Sequence, residues 1–187
     1  MILVRHGQYI PKDDHQVERL TELGRQQAWL AGDRLKENLR IDRITQSSMP
    51  RAIETARIIK EQLGYVGTIE TCEDIRECVP PCQTAHVKKY GYSKEKMKIC
   101  KSQIDRAFKK HFKMPRKNSV EVLICHGNLI RSLVCRVLEA DELLWTSLDI
   151  LQGSITTVEL RSAGIERKLL IGHNDVGHIP KDKRTFL

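Results

Sequence analysis

No run of apolar residues approaches the roughly 20 that a membrane-spanning helix needs, so no transmembrane segment is expected. Cys-x-x-Cys pairs and zinc-ligand spacings are missing too, which sets aside the common metal modules and the thioredoxin-like redox motif. No repeat, low-complexity tract or linker breaks the chain, and residues 1–187 are expected to form one domain with a core that needs no staples. The first residues are already strand-like, so no secretory leader is expected within them. The six cysteines stand apart: Cys72, Cys78, Cys82, Cys100, Cys125 and Cys135. Cys125 and Cys135 sit in apolar runs as small hydrophobes. A reduced, intracellular thiol set is the expectation, with a redox-sensitive pair among Cys72, Cys78 and Cys82 as its rival.

An excess of charge of one sign is also missing, except in one segment. The chain carries +8, and residues 88–117 hold twelve Lys or Arg against the two acids Glu95 and Asp105. That local balance of +10 leaves about −2 for everything else, which does not describe a uniformly basic nucleic-acid binder. A solvated helix face is the plain reading of the basic segment. A lip that steers acidic substrates is the sharper one.

Strand-like and helix-like stretches alternate along the chain. Strands are expected at 1–5, 41–46, 67–72 and 119–125, with a closing pair at 154–161 and 165–171 around Ala163-Gly164. Helices are expected at 22–38, 49–63, 93–113, 128–139 and 142–148, with Thr21, Ser48 and Asp141 as N-caps and Pro50 in a first turn. Residues 73–83 read as irregular. The alternation predicts an α/β fold of three layers, α/β/α, around a mostly parallel sheet.

Two of these strands end alike, Met1-Ile-Leu-Val-Arg-His-Gly and Val122-Leu-Ile-Cys-His-Gly. Ligands of open α/β sheets bind beyond the carboxyl ends of the strands, so His6 and His126 can meet in one crevice. A neutral imidazole is a competent nucleophile toward phosphorus, and Arg5 offers a planar fork suited to phosphoryl oxygens. Arg51 lies in the first turn of a helix expected to start at the same edge, where free N–H groups favour an anion. A protonated His126 would stabilise charge that develops during transfer. Glu77 is the candidate general acid, with Glu73 and Asp74 as rivals by position. Each of these residues also has a plain structural reading as a strand-end histidine, a surface arginine or a solvated acid. His173 and His178, five apart, lack a third ligand and fit a rim loop better than a metal site. His15, His86 and His111 read as surface or core residues.

Jointly, the pieces resemble the histidine phosphatase superfamily, whose members share the phosphoglycerate mutase-like fold. The resemblance rests on Leu3-Val4-Arg5-His6-Gly7-Gln8, Leu20-Thr21-Glu22-Leu23-Gly24-Arg25-Gln26-Gln27-Ala28, Ser47-Ser48-Met49-Pro50-Arg51-Ala52-Ile53-Glu54-Thr55-Ala56, Ile75-Arg76-Glu77 and Ile124-Cys125-His126-Gly127-Asn128-Leu129-Ile130-Arg131. It implies that His6 is the histidine that becomes phosphorylated, and that Arg5, Arg51 and His126 complete the phosphate pocket. It further implies Glu77 as the acid, Gly127 and Asn128 among the substrate-binding residues, and no metal or organic cofactor. Within the family the chain is most similar to a mitochondrial branch of protein serine/threonine phosphatases, through Tyr9, Gly153-Ser154-Ile155-Thr156 and Pro180-Lys181-Asp182-Lys183. Cys78 departs from the pattern, standing where a glycine commonly follows the acid.

The resemblance thus implies hydrolysis of phosphomonoesters through phosphohistidine, with phosphoserine and phosphothreonine of proteins as substrates and a mitochondrial or otherwise intracellular location. No nucleic acid is an expected partner, self-association is compatible with the reading, and no membrane contact is expected of these residues themselves. The branch's anchor and assembly segments lie upstream of the matching region. Two rivals stand: an enzyme of the same fold acting on a small phosphorylated metabolite, and a non-catalytic adaptor using the basic face. Tyr9-Ile10-Pro11-Lys12, where sugar-phosphate mutases carry Trp-Asn, argues against a mutase.

Overall fold

The computed structural model describes residues 1–11, 18–36, 40–162 and 164–186, apart from the side chains of Thr84, His86 and Tyr90. His15 and the last two residues of the helix expected at 22–38 lie outside the described residues. The strands are β1 (Ile2–Arg5), β2 (Arg43–Ser47), β3 (Ile69–Cys72), β4 (Glu121–Cys125), β5 (Ile155–Arg161) and β6 (Arg167–Asp175). The helices are α1 (Glu22–Lys36), α2 (Pro50–Leu63), α3 (Thr84–Tyr90), α4 (Lys94–His111) and α5 (Gly127–Val137). One sheet runs in the order β3-β2-β4-β1-β5-β6. The first four of these strands are mutually parallel, while β5 runs antiparallel to β1 and to β6.

Side chains alternate between the faces of a strand, and the two inner strands use both faces for burial. Leu3, Leu123 and Cys125 pack under Cys100, Ile104 and Ala107 of α4 and Leu129, Leu133 and Val137 of α5. Ile2, Val4, Val122 and Ile124 pack on the other side under Ala31 and Leu35 of α1 and Ala52, Ala56 and Ile59 of α2. The result is the three-layer α/β/α arrangement expected.

Thr21 caps α1 as expected, its Oγ1 accepting the Gly24 N–H at 3.0 Å. Asp141 likewise accepts from the Leu143 N–H at 2.9 Å, but the segment it caps, Glu142–Ser147, is 3-10 rather than α-helical. Ser48 is not a cap. Its hydroxyl donates to the stronger acceptor, the Glu73 carboxylate, at 2.9 Å, and the Met49 N–H turns instead to Ser47 Oγ at 3.3 Å. Helix α3 was not expected, and it lies between the irregular segment and α4.

The reduced-thiol expectation is corrected at one pair: Cys78 and Cys100 are disulfide-bonded, while Cys72, Cys82, Cys125 and Cys135 are free. In the chain-entropy view, closing a loop of 22 residues' separation stabilises by about 3 kcal/mol.

The turn after β1 is packed to contact. A Cβ built on Gly24 would stand 1.9 Å from the Gln8 carbonyl oxygen, and one on Gly7 would stand 2.2 Å from the Gly24 oxygen. Backbone meets backbone here, so neither neighbour can yield as a side chain would. Gly24→Ala is therefore expected to destabilise by about 3 kcal/mol or more, measured by urea unfolding, against under 1 kcal/mol for a substitution at solvent-facing Gly172.

Candidate active site

The register of β1 on β4 assembles the centre of the site. Arg5 pairs with Cys125, so the next residue of each strand is a histidine, and the His6 N–H donates to the Cys125 carbonyl at 3.1 Å. The two imidazole centroids are 5.0 Å apart with planes inclined by 60°. On the far side of β4, β2 ends beside them, where Ser47 Oγ lies 2.8 Å from His126 Nε2. Two residues beyond the end of β2, α2 begins with Pro50 at its first position and presents Arg51. Arg51 Nε donates to His6 Nε2 at 3.0 Å.

That bond fixes the protonation of His6. Guanidinium can only donate, so Nε2 holds a lone pair; carbonyl can only accept, so Nδ1 carries the proton and donates to Gly7 O at 2.8 Å. Burial first, then the charges of Arg5 and Arg51, holds His6 well below the usual imidazole range despite the Gly7 bond. The same causes act on His126, with His6, Arg51, Arg5 and Arg76 adding to burial. The expectation of a protonated His126 is thus corrected. In this state it is neutral, because a second buried cation among arginines would be too costly.

Arg51 is also ion-paired through Nη1 to Glu18, and its guanidinium carbon lies 4.5 Å from the Tyr9 ring centre. Tyr9 in turn meets His6 edge-on at 5.2 Å. Arg5 donates through Nη1 to the Ile150 and Phe186 carbonyls, both at 2.7 Å. Burial pushes its guanidinium down to about 10, still cationic at neutral pH. Gly127 leaves room for it: a Cβ there would lie 3.3 Å from Arg5 Nε.

Two buried nitrogens of this cluster, Arg5 Nε and His126 Nδ1, have no hydrogen-bond partner among the described residues. Buried polar atoms are rarely left so, and a pair of them beside a neutral imidazole suits a ligand rich in acceptor oxygens.

The three acids separate by their partners. Glu73 is exposed and held by Ser48 and Arg76, and Asp74 pairs with Arg106 of α4. Glu77 instead faces Arg5, Arg51 and Arg131 and takes the Asn128 backbone N–H. All four favour its carboxylate, yet burial outweighs them and raises it above the usual carboxylate range. Asn128, expected at the substrate, is turned to this loop as well, its Nδ2 donating to Cys78 O at 3.3 Å.

His173 and His178 are bonded to backbone rather than free at a rim, through Nε2 to Asp149 O at 2.8 Å and to Gly153 O at 3.0 Å. No group of His, Cys, Asp or Glu among the described residues could hold a metal ion. Sequence reasoning missed Glu18 and Ser47. Nothing marks Glu18, whereas Ser47 is readable as the last residue of the strand beside β4.

The sequence model described as "Histidine phosphatase superfamily (branch 1)" matches residues 1–86. The chain belongs to the histidine phosphatase superfamily. Among its relatives is the mitochondrial serine/threonine-protein phosphatase Pgam5 of Caenorhabditis elegans, 33% identical over 100% of this chain and 66% of the relative. The mitochondrial serine/threonine-protein phosphatase PGAM5 of Homo sapiens is 35% identical over 99% of this chain and 65% of its own length. The chain therefore spans about two thirds of the curated relatives it matches. Of solved structures, a phosphoglycerate mutase from Plasmodium falciparum superposes with a TM-score of 0.66 at 26% identity, covering 100% of this chain and 96% of that one. The alpha-ribazole phosphatase of Shigella flexneri shares the fold, with a TM-score of 0.70 at 14% identity and coverage of 93% and 95%.

The histidines give a pH prediction. His6, His126, His111, His173 and His178 are all lowered from 6.5 on folding, His111 to about 4. Between their folded values and about 6.5 the unfolded chain binds protons that the folded one refuses, so stability is present above that pH and lost on acidification. Glu77, raised by folding, acts the opposite way, but it is one group against five. Each fully shifted histidine contributes about 1.4 kcal/mol per pH unit, and the urea midpoint is expected to fall clearly from pH 7.5 to 5.5. An unchanged midpoint contradicts the neutral-histidine assignment.

Proposed function

We propose that this chain hydrolyses phosphomonoesters through a phosphohistidine on His6, and that phosphoserine and phosphothreonine of proteins are its substrates. The observation that carries the chemistry is the His6 lone pair at Nε2, held beside cationic Arg5 and Arg51 and the unpartnered Arg5 Nε and His126 Nδ1. In the first step Nε2 attacks phosphorus and the ester P–O bond breaks. Arg51 transfers its N–H from Nε2 to a phosphoryl oxygen, and Arg5 and His126 take the others. Glu77, which burial shifts towards its protonated form, gives its proton to the leaving alkoxide. In the second step the Glu77 carboxylate takes a proton from water, which attacks phosphorus as the N–P bond breaks. Phosphate leaves, and His6 and Glu77 regain their starting forms. Throughout, the Gly7 carbonyl holds the Nδ1 proton and steadies the positive charge of the phosphorylated ring.

The protein substrate class is supported by the relatives named serine/threonine-protein phosphatases, and a mitochondrial location by the same names. Rapid quenching after a ³²P-labelled phosphoserine peptide is expected to leave acid-labile label on His6, absent in His6→Ala. Glu77→Gln is expected to slow turnover of the peptide by about 10²-fold or more, and that of dinitrophenyl phosphate, whose leaving group needs no proton, by under tenfold. Turnover confined to sugar phosphates would overturn the protein substrate.

The exposed lysines of α4 supply the partner side of the proposal. Lys101 is occupied by Glu142, but Lys94, Lys98 and Lys109 also lie on the exposed face. Replacing those three by Gln is expected to lower kcat/KM for acidic phosphopeptides several-fold at about 20 mM salt and little at about 300 mM. An equal loss at both concentrations removes steering from the account.

A further inference from the structure

Gln103 of α4 donates to the Asp74 and Arg76 carbonyls before Glu77. The two side chains that donate to carbonyls after it, Asn128 and Trp145, meet at Arg131, which has no role in the phosphate pocket. Arg131 lies one turn along α5 from Asn128, and its Nη2 donates to Asn128 Oδ1. Guanidinium has no acceptor, so the Asn128 amide must turn its oxygen to Arg131 and its NH₂ outward. That NH₂ donates to the Cys78 carbonyl, and the Asn128 backbone N–H serves the Glu77 carboxyl.

The other face of the guanidinium lies 5.0 Å from the Trp145 ring centre, and Trp145 Nε1 donates to the Pro81 carbonyl at 2.7 Å. Arg131 Nη1 closes the arrangement on the Leu148 carbonyl at 3.3 Å. One planar group thus orients the amide that grips the loop at Cys78 and lies against the ring that grips it at Pro81. The disulfide from Cys78 to Cys100 ties the same loop to α4, and the Cys78 backbone N–H donates to Glu77 Oε1 at 3.3 Å.

We infer that Arg131 is a positioning residue for the proton donor, fixing Glu77 through Asn128 and Trp145 without touching substrate. The inference rests on the proposed role of Glu77 as acid. It assigns Arg131 two separable contributions. The fork sets the orientation of the Asn128 amide, which only a rigid multi-point donor does. The charge favours the Glu77 carboxylate, together with Arg5 from β1 and Arg51 from α2. Asp149, Tyr92 and Glu77 itself are the groups that act on Arg131 in return, and Cys125 of β4 is the remaining titratable neighbour of Glu77.

Arg131→Lys and Arg131→Gln separate the two. Both are assayed from pH 5 to 9 on a phosphoserine peptide and on dinitrophenyl phosphate, beside Glu77→Gln. With the fork gone, both variants are expected to lose about tenfold or more in kcat on the peptide and no more than about twofold on the aryl ester. The alkaline limb of kcat/KM, which reports loss of the acid's proton, stays in place for the lysine variant. It moves to higher pH for the glutamine variant, because a cation that favoured the carboxylate has been removed. Equal losses on both esters, or a limb that moves equally or not at all in the two variants, overturn the inference. The lysine variant keeps a cation near the indole, so the ester comparison stands even if the glutamine variant does not fold. If Glu77→Gln itself fails to distinguish the esters, it is the acid assignment that falls, and this inference with it. If Glu77→Gln distinguishes them and the Arg131 variants do not, only the inference falls.

Discussion

The parallel pairing of β1 with β4 is the constraint on which the site depends. It sets Arg5 opposite Cys125, and both histidines follow from that one register. A slip of one residue would send the apolar set of β1 to the wrong faces, exchanging the partners of Leu3 for those of Ile2 and Val4. The hydrophobic core on both sides of the sheet therefore holds the imidazoles together, although neither belongs to it. Gly7 and Gly24 complete the effect by letting the chain leave the strand without opening a gap.

The electrostatics follow from putting that meeting point under cover. Two arginines and two histidines share a buried space, and burial decides each protonation state. The imidazoles give up their protons because the guanidiniums do not, which leaves one lone pair facing one fixed charge. Glu77 is raised above the usual carboxylate range for the same reason, although three cations favour its charged form. A neutral His6 and a Glu77 shifted towards its protonated form thus arise from one cause, burial.

Much of this was legible in the sequence. His6 and His126 could be placed at one edge because strand-length apolar runs ending in His-Gly have few other arrangements in an α/β fold. Arg51 followed from Pro50 marking a helix start after a strand. Less could be read where the answer depends on which neighbours arrive from afar. Ser48 has the residue type of a cap, yet Glu73 of a later turn takes its hydroxyl. Cys78 and Cys100 carry no pairing signal, since α4 must first be laid against the loop before the two sulfurs meet. The protonation of His126 was misjudged for a related reason, because the residue type says nothing about how many cations will surround it. The part played by Arg131 lies in the orientation of an amide, which no spacing encodes.

The placement of β1 also bears on how the chain is made. Its two neighbours in the sheet, β4 and β5, begin at Glu121 and Ile155, so β1 finds no partner until more than a hundred further residues have emerged. At ribosomal speeds of about 5–20 residues per second, that leaves it unpaired for roughly 6 to 25 seconds. An apolar strand thus stays unpaired while α1, β2 and α2 appear behind it. Chaperone demand during synthesis is a cost of placing His6 at the end of a strand whose neighbours in the sheet come so much later.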